Sequence, residues 1–192
     1  MNEFALHRHL RRVRALSGTV ARPADAPGTD TDLYRARWTD RIHDEWTRNV
    51  LKQRPDLKAE DLERTRSLMN AHVPDSLVTG FEHLIPSVEL PDADDRHVVA
   101  AAIHSGASLI VTFNLKDFPP DQLKRYNLAA QHPDDFIFDL LDLHAARVRE
   151  AAANHRRSLK NPPKTVDDYL DTLLKQGLTQ TVGQLREWKV AI

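Results

Sequence analysis

The sequence predicts an α/β fold, a parallel sheet flanked by helices, followed by a helical extension. Between Leu33 and Asp142, segments with helical apolar spacing alternate with short runs of strand length. Ser108-Leu-Ile-Val-Thr112 is an apolar run of the kind expected for a parallel strand covered on both faces. From His144 to Ile192 the periodicity is helical only. With 192 residues the chain can bury a sizeable core, and its texture divides it into 1–32, 33–143 and 144–192.

Residues 1–32 open with a basic run and continue as ARPADAPGTDTD, without apolar periodicity. They read as an irregular segment, a short helix and then a disordered linker. Ala15 to Ala21 offers a substitute strand, a poor one because Ser17-Gly18 interrupts it. Thr39 is a good N-cap for a helix over Asp40–Gln53, with Ile42, Trp46 and Val50 on one face and Pro55 beyond its end. A second helix over Ala59–Ala71 carries Leu62, Thr65, Leu68 and Met69 along one stripe. Ser76–Gly80 is expected to be a short strand. An Ala-rich helix starts at Asp94 or Asp95, with Gly106 as its C-cap, and the strand Ser108–Thr112 follows. A short helix after Pro119, a strand near Asn127–Ala130 and a helix from Pro133 through Asp142 complete the α/β region. Helices are expected over Ala145–Leu159, Val166–Gln176 and Thr181–Trp188, with Thr165 and Asp168 at capping-box spacing.

Composition excludes several functional classes. There is no cysteine, which removes disulfides, thiol catalysis and Cys-type zinc sites. The N-terminus lacks the apolar core of a secretory signal and no run reaches membrane-span length, so a cytosolic protein is expected. A net charge of -1 gives no global attraction for nucleic acid. RNA binding would rest on local runs at Arg8–Arg14, Arg35–Arg41 and Arg147–Lys164, which are more often solvated faces. The ten histidines show no metal-site spacing, and neither a G-x-S-x-G elbow nor a Gly-rich phosphate loop is present.

The chemistry concentrates in LPDADDRHVVAAAIHSGASLIVTFNLKDFP, Leu90 to Pro119. Asp92, Asp94 and Asp95 stand at a helix start, whereas Thr112, Asn114 and Asp117 stand at and beyond a strand end. Both ends can aim oxygen donors at one point, the requirement for holding a hard cation such as Mg²⁺ over a phosphodiester. The bland reading of Asp95 is an acid favouring the helix dipole, worth up to about 1 kcal/mol. Three aspartates in four positions exceed what a cap needs, unless Arg96 and His97 offset them. Asn114 can serve as a turn residue and Asp117 as a cap. Glu45, a lone helical glutamate beside Trp46, is by spacing alone a surface charge.

Three ordered blocks, LYRARWTDRIHDEWTRN, the Leu90–Pro119 stretch and AQHPDDF, resemble PIN-domain nucleases, most closely the VapC-type toxins of bacterial toxin–antitoxin pairs. The resemblance runs from Leu33 to Leu143, and the tail is similar to the C-terminal extension of one VapC subgroup. It implies a metal-dependent endoribonuclease using one or two Mg²⁺ or Mn²⁺ ions. Carried over, Glu45 and Asp95 are metal-binding acids, with Asn114 at the fourth position as a further ligand. From the residues themselves, Asp117 is a further catalytic candidate, with Asp92, Asp94 and Thr112 as secondary ones. RNA is the implied substrate and a cognate antitoxin the implied partner, with a homodimer as a candidate assembly.

The family begins with a central strand ending in Asp, and residues 1–32 contain no such motif. They read as out-of-family sequence, of the composition that a shifted frame of GC-rich DNA yields. The alternative function is therefore a catalytically impaired PIN relative that binds RNA or antitoxin without turnover. A helix-turn-helix role for the tail is weaker, since only Arg186 and Lys189 are basic on its last helix.

Overall fold

The computed structural model describes residues 15–18, 33–73, 75–160 and 162–188. They fall into two compact units, one within residues 12–131 and the other over residues 132–188. The rest of the N-terminal segment lies outside the described residues, and with it the expected short helix and linker.

The first unit holds a four-stranded sheet in the order β2-β1-β3-β4, with β1 Ala15–Gly18, β2 Arg35–Arg37, β3 Ala107–Val111 and β4 Ala129–Gln131. β3 and β4 pair in parallel, Ile110 against Ala130. β1 runs antiparallel to both neighbours, with Leu16 opposite Arg37 on one side and Ile110 on the other. The substitute strand therefore exists and is interior, but it is reversed relative to the other three. A register shift between Ser17 and Gly18 marks the interruption foreseen there.

Helix α1, Asp40–Gln53, has the expected bounds, and Thr39 Oγ1 accepts the Ile42 N–H at 3.1 Å. Its inner stripe of Ile42, Trp46 and Val50 is buried, together with His43. The imidazole of His43 accepts the Trp46 indole N–H at Nδ1 (2.8 Å), which leaves Nε2–H to donate to Asn70 Oδ1 (3.1 Å). Asn70 Oδ1 also accepts the Trp38 indole N–H at 2.6 Å. Burial lowers the His43 pKa, more than the Asn70 bond raises it.

Asn70 belongs to α2, Ala59–His72, whose expected apolar stripe is corrected: Leu62 is buried, but Leu68 is 48% exposed. Here α2 meets α1 partly through charge, as Arg66 reaches Asp40 at 2.5 Å and Asp44 at 2.8 Å. The expected strand over Ser76–Gly80 is also corrected, to a single parallel bridge between Trp38 and Leu77. Positive φ angles at Asp75 (62°) and Gly80 (79°) turn the chain on both sides and leave no length for a ladder.

A 3-10 turn, Ala93–Asp95, leads into α3, Arg96–Ser105. His97 through Ala102 are all buried on this helix, and it packs against β1, β3 and a 3-10 segment at Glu82–Ser87. Small alanines let the backbones approach closely from several sides. Gly106 ends α3 with φ 66°, the left-handed C-cap that its position predicts. A one-turn helix, α4 Pro120–Leu123, then joins β3 to β4.

The second unit is helical. Helix α5, Pro133–Ser158, kinks at His144 (φ −146°, ψ 53°), so the two helices expected on either side of Leu143 meet there. Helices α6, Val166–Lys175, and α7, Thr179–Glu187, follow. Leu141, Ala152, Leu159, Tyr169, Leu170, Leu173, Val182 and Leu185 form one apolar core. Burial pushes the Tyr169 phenol up to about 12, and its hydroxyl meets His155 Nδ1 at 3.1 Å. Leu178 precedes α7 without a side-chain cap. Asp134 supplies the cap from α5, accepting the N–H groups of Gln180 (2.8 Å) and Thr181 (2.9 Å). Burial opposes its ionisation, yet these bonds hold the carboxyl below its usual range. No helix among the described residues is long and apolar enough to cross a membrane.

Candidate metal centre

The first unit contains a cleft of about 290 Å³ lined by Glu45, Arg48, Asn49, Asp92, Asp94, Asp95, Asn114, Lys116 and Asp117. Six of the residues singled out in the sequence thus meet in one place, although Glu45 is 72 positions from Asp117. Three local structures deliver them. Helix α1 brings Glu45, the turn before α3 brings the aspartates, and the turn after β3 brings Asn114 and Asp117.

Each donor is held by its own surroundings. Asp92 caps the 3-10 turn, its Oδ1 accepting the Asp94 N–H at 2.9 Å. Asp95 is only 2% exposed. Thr112 is not among the residues that line the cleft. It is fully buried, and its hydroxyl accepts the Asn114 N–H at 3.1 Å, fixing the turn that carries Asn114. The Asn114 side-chain amide donates to Asp117 Oδ2. Glu45 Oε1 accepts from His97 Nε2 at 2.9 Å and lies 3.7 Å from Arg41 Nε.

The carboxylates that converge are Asp92, Asp95 and Asp117, each offering an oxygen within 4.8 Å of the others. Two Mg–oxygen bonds in line span about 4.2 Å, so small side-chain adjustments would bring the three onto one ion. The donors are all oxygens, without His or Cys, and therefore suit a hard cation such as Mg²⁺ or Mn²⁺. Five acids line the cleft against two bases, Arg48 and Lys116, an imbalance that a cation would offset. Glu45 borders this set with one oxygen turned to His97, and Asn114 lines the same cleft with its Nδ2 donating to Asp117.

Sequence reasoning missed Arg48, Asn49 and Lys116. The first two lie one helical turn from Glu45, the spacing that shares a face, and Lys116 sits between Asn114 and Asp117. Arg48 and Lys116 are isolated cations outside the basic runs, so no local pattern marks them. Nothing in the order of residues brings His97 to Glu45, so the sequence offers it only as a counter-charge for the aspartates.

The model of the VapC50 C-terminal domain matches residues 133–187, the span of α5 to α7. A curated protein of Mycobacterium tuberculosis named "Putative ribonuclease VapC50" is 39% identical over 114 residues, covering 57% of this chain and 67% of the relative. No solved structure matches the chain. The chain belongs to the VapC-type PIN-domain family, in the group that carries a C-terminal extension.

Proposed function

We propose that this protein is a toxin-type endoribonuclease that requires Mg²⁺ or Mn²⁺, with Asp92, Asp95 and Asp117 as the carboxylates that hold the metal. The observation that carries the reading is the convergence of those three side chains within 4.8 Å. A bound divalent ion supplies Lewis-acid stabilisation of phosphodiester cleavage and makes water a better nucleophile. Glu45 adds a fourth carboxylate at the edge of the set. Asn114 steadies Asp117 through its amide. Arg48 and Lys116 give the cleft two cations for the RNA backbone, contacts that position the strand without reading its bases. A cognate antitoxin would silence the enzyme by covering the acidic cleft, and a homodimer is the assembly proposed from the family resemblance.

The direction of β1 favours a second reading, a PIN relative that binds without turnover. Ala15 pairs with Val111 and Gly18 with Ala107, so β1 enters the sheet at the edge where β3 leaves it. Its C-terminal end therefore lies at the opposite edge of the sheet from the end of β3 that leads into the cleft.

The deciding experiment incubates the full chain with structured RNA and Mn²⁺ or Mg²⁺, beside EDTA and Asp95→Asn. Active nuclease predicts cleavage abolished by EDTA and reduced at least about 100-fold by Asp95→Asn, the upper end of what loss of outer-shell metal partners alone costs. A folded protein that binds RNA but leaves it intact under every metal would establish the second reading instead.

A further inference from the structure

His97 is fully buried, yet its Nε2 reaches a side chain that lines the cleft. The ring sits on α3 among Val98, Val99 and the alanines, and Nε2 meets Glu45 Oε1 at 2.9 Å. Nδ1 has no hydrogen-bond partner among the described residues. A buried polar atom left in that state is destabilising, so the imidazole is a poor choice for packing alone. An aliphatic residue of similar size would fill the space without that cost.

The ring's state follows from its surroundings. Glu45 as a carboxylate only accepts, so Nε2 must carry the hydrogen. In the neutral imidazole this leaves Nδ1 as the bare lone pair. The donor is rigid because the ring is packed on all sides. Glu45 sits on a different helix, and its side chain is 23% exposed at the cleft. Arg41 approaches the same oxygen at 3.7 Å from a side chain 47% exposed.

We propose that His97 is a positioning residue: through Nε2–H it orients the Glu45 carboxylate against the Asp92–Asp95–Asp117 set. The proposal rests on the metal-dependent nuclease reading. Its energetic signature is opposed effects on stability and on the site. Replacing His97 by leucine removes the unpartnered Nδ1 and takes the Nε2–H donor away from Glu45. A purely structural histidine would instead lower stability when replaced.

The test measures Mn²⁺ affinity by calorimetry, RNA cleavage and Tm for wild type, His97→Leu, His97→Gln, Glu45→Gln and the double variant His97→Leu/Glu45→Gln. His97→Leu is expected to weaken Mn²⁺ binding and kcat by about 10–100-fold, with KM nearly unchanged and Tm unchanged or raised. His97→Gln, whose amide nitrogen falls near Nε2, should recover most of the loss. In the Glu45→Gln background the leucine substitution should add almost nothing. An undiminished additional loss in that background would overturn the proposal, as would wild-type Mn²⁺ affinity in folded His97→Leu. Should His97→Leu fail to fold, a His97→Gln variant lacking the recovered affinity would overturn it equally. Wild type that binds no Mn²⁺ and cleaves no RNA would overturn the nuclease reading and this proposal with it.

Discussion

In the helical unit, the buried polar side chains of Asp134 and Thr181 answer one another. The Asp134 carboxylate accepts the Thr181 N–H, and the Thr181 hydroxyl donates to the Asp134 carbonyl at 3.3 Å. In the α/β unit, Thr39, His43 and Thr112 likewise serve a helix start, an indole and a turn. Asp95 and His97 differ: they are buried at a cleft, one converging with two other carboxylates and the other holding Glu45. Among these residues, buried polarity either closes local structure or prepares a charged surface. Only the second concentrates like charge, and it lies in the α/β unit.

The sharpest break in this comparison would come from Asp134. Asp134→Ala leaves two N–H groups at the start of α7 without their acceptor. The loss should be about 3 kcal/mol, given that a hydrogen bond to a charged group contributes about 1.5–3 kcal/mol. Amide exchange over Thr179–Glu187 should accelerate while RNA cleavage, where present, continues. Unchanged protection in α7 would show that the carboxylate is no cap. The same cap predicts acid sensitivity. The depressed Asp134 pKa contributes stability above the unfolded carboxylate value of about 3.9, and this is lost as pH falls through the lower folded value.

A smaller effect belongs to His43. Its folded pKa is lowered, so the folded state resists protonation more than the unfolded chain does. Its contribution is complete above about pH 6.5 and declines as pH falls from there toward the folded value. Urea melts between pH 7.5 and 5 should show stability falling, and His43→Gln should flatten that slope. An equal slope in the variant would place the acid sensitivity elsewhere.

The smallest change is expected at the start of α6, where Thr165 Oγ1 accepts the Asp168 N–H at 3.1 Å and donates to the Asp168 carboxylate at 2.7 Å. Thr165→Ala should cost about 1 kcal/mol, visible as a modest drop in Tm. A loss as large as that of Asp134→Ala would mean that exposed and buried caps are equivalent here, and would dissolve the distinction drawn above.

Much of the architecture was legible because it depends on local signals. Thr39, Gly106 and Thr165 mark helix ends by chemistry that acts within four residues, and the Ile42–Trp46–Val50 stripe identifies the inner face of α1. The reversal of β1 was not legible, since strand direction is decided by tertiary pairing and no periodicity encodes it. Leu68 was misplaced because α2 meets α1 partly through Arg66 and its acids, a choice that depends on both helices. At the site, the aspartates and Asn114 could be foreseen from their positions at a helix start and a strand end. The Glu45–His97 bond spans 52 positions and two helices, so only the folded chain reveals it.

The converging carboxylates also have a consequence for how this molecule tolerates change. Asp92, Asp95 and Asp117 all lie within one short stretch, joined by a single helix and the strand that returns beside it. Their meeting therefore requires closure of only a short loop, which carries a small entropic cost. The convergence of these three carboxylates is thus a property of one local turn–helix–strand–turn unit.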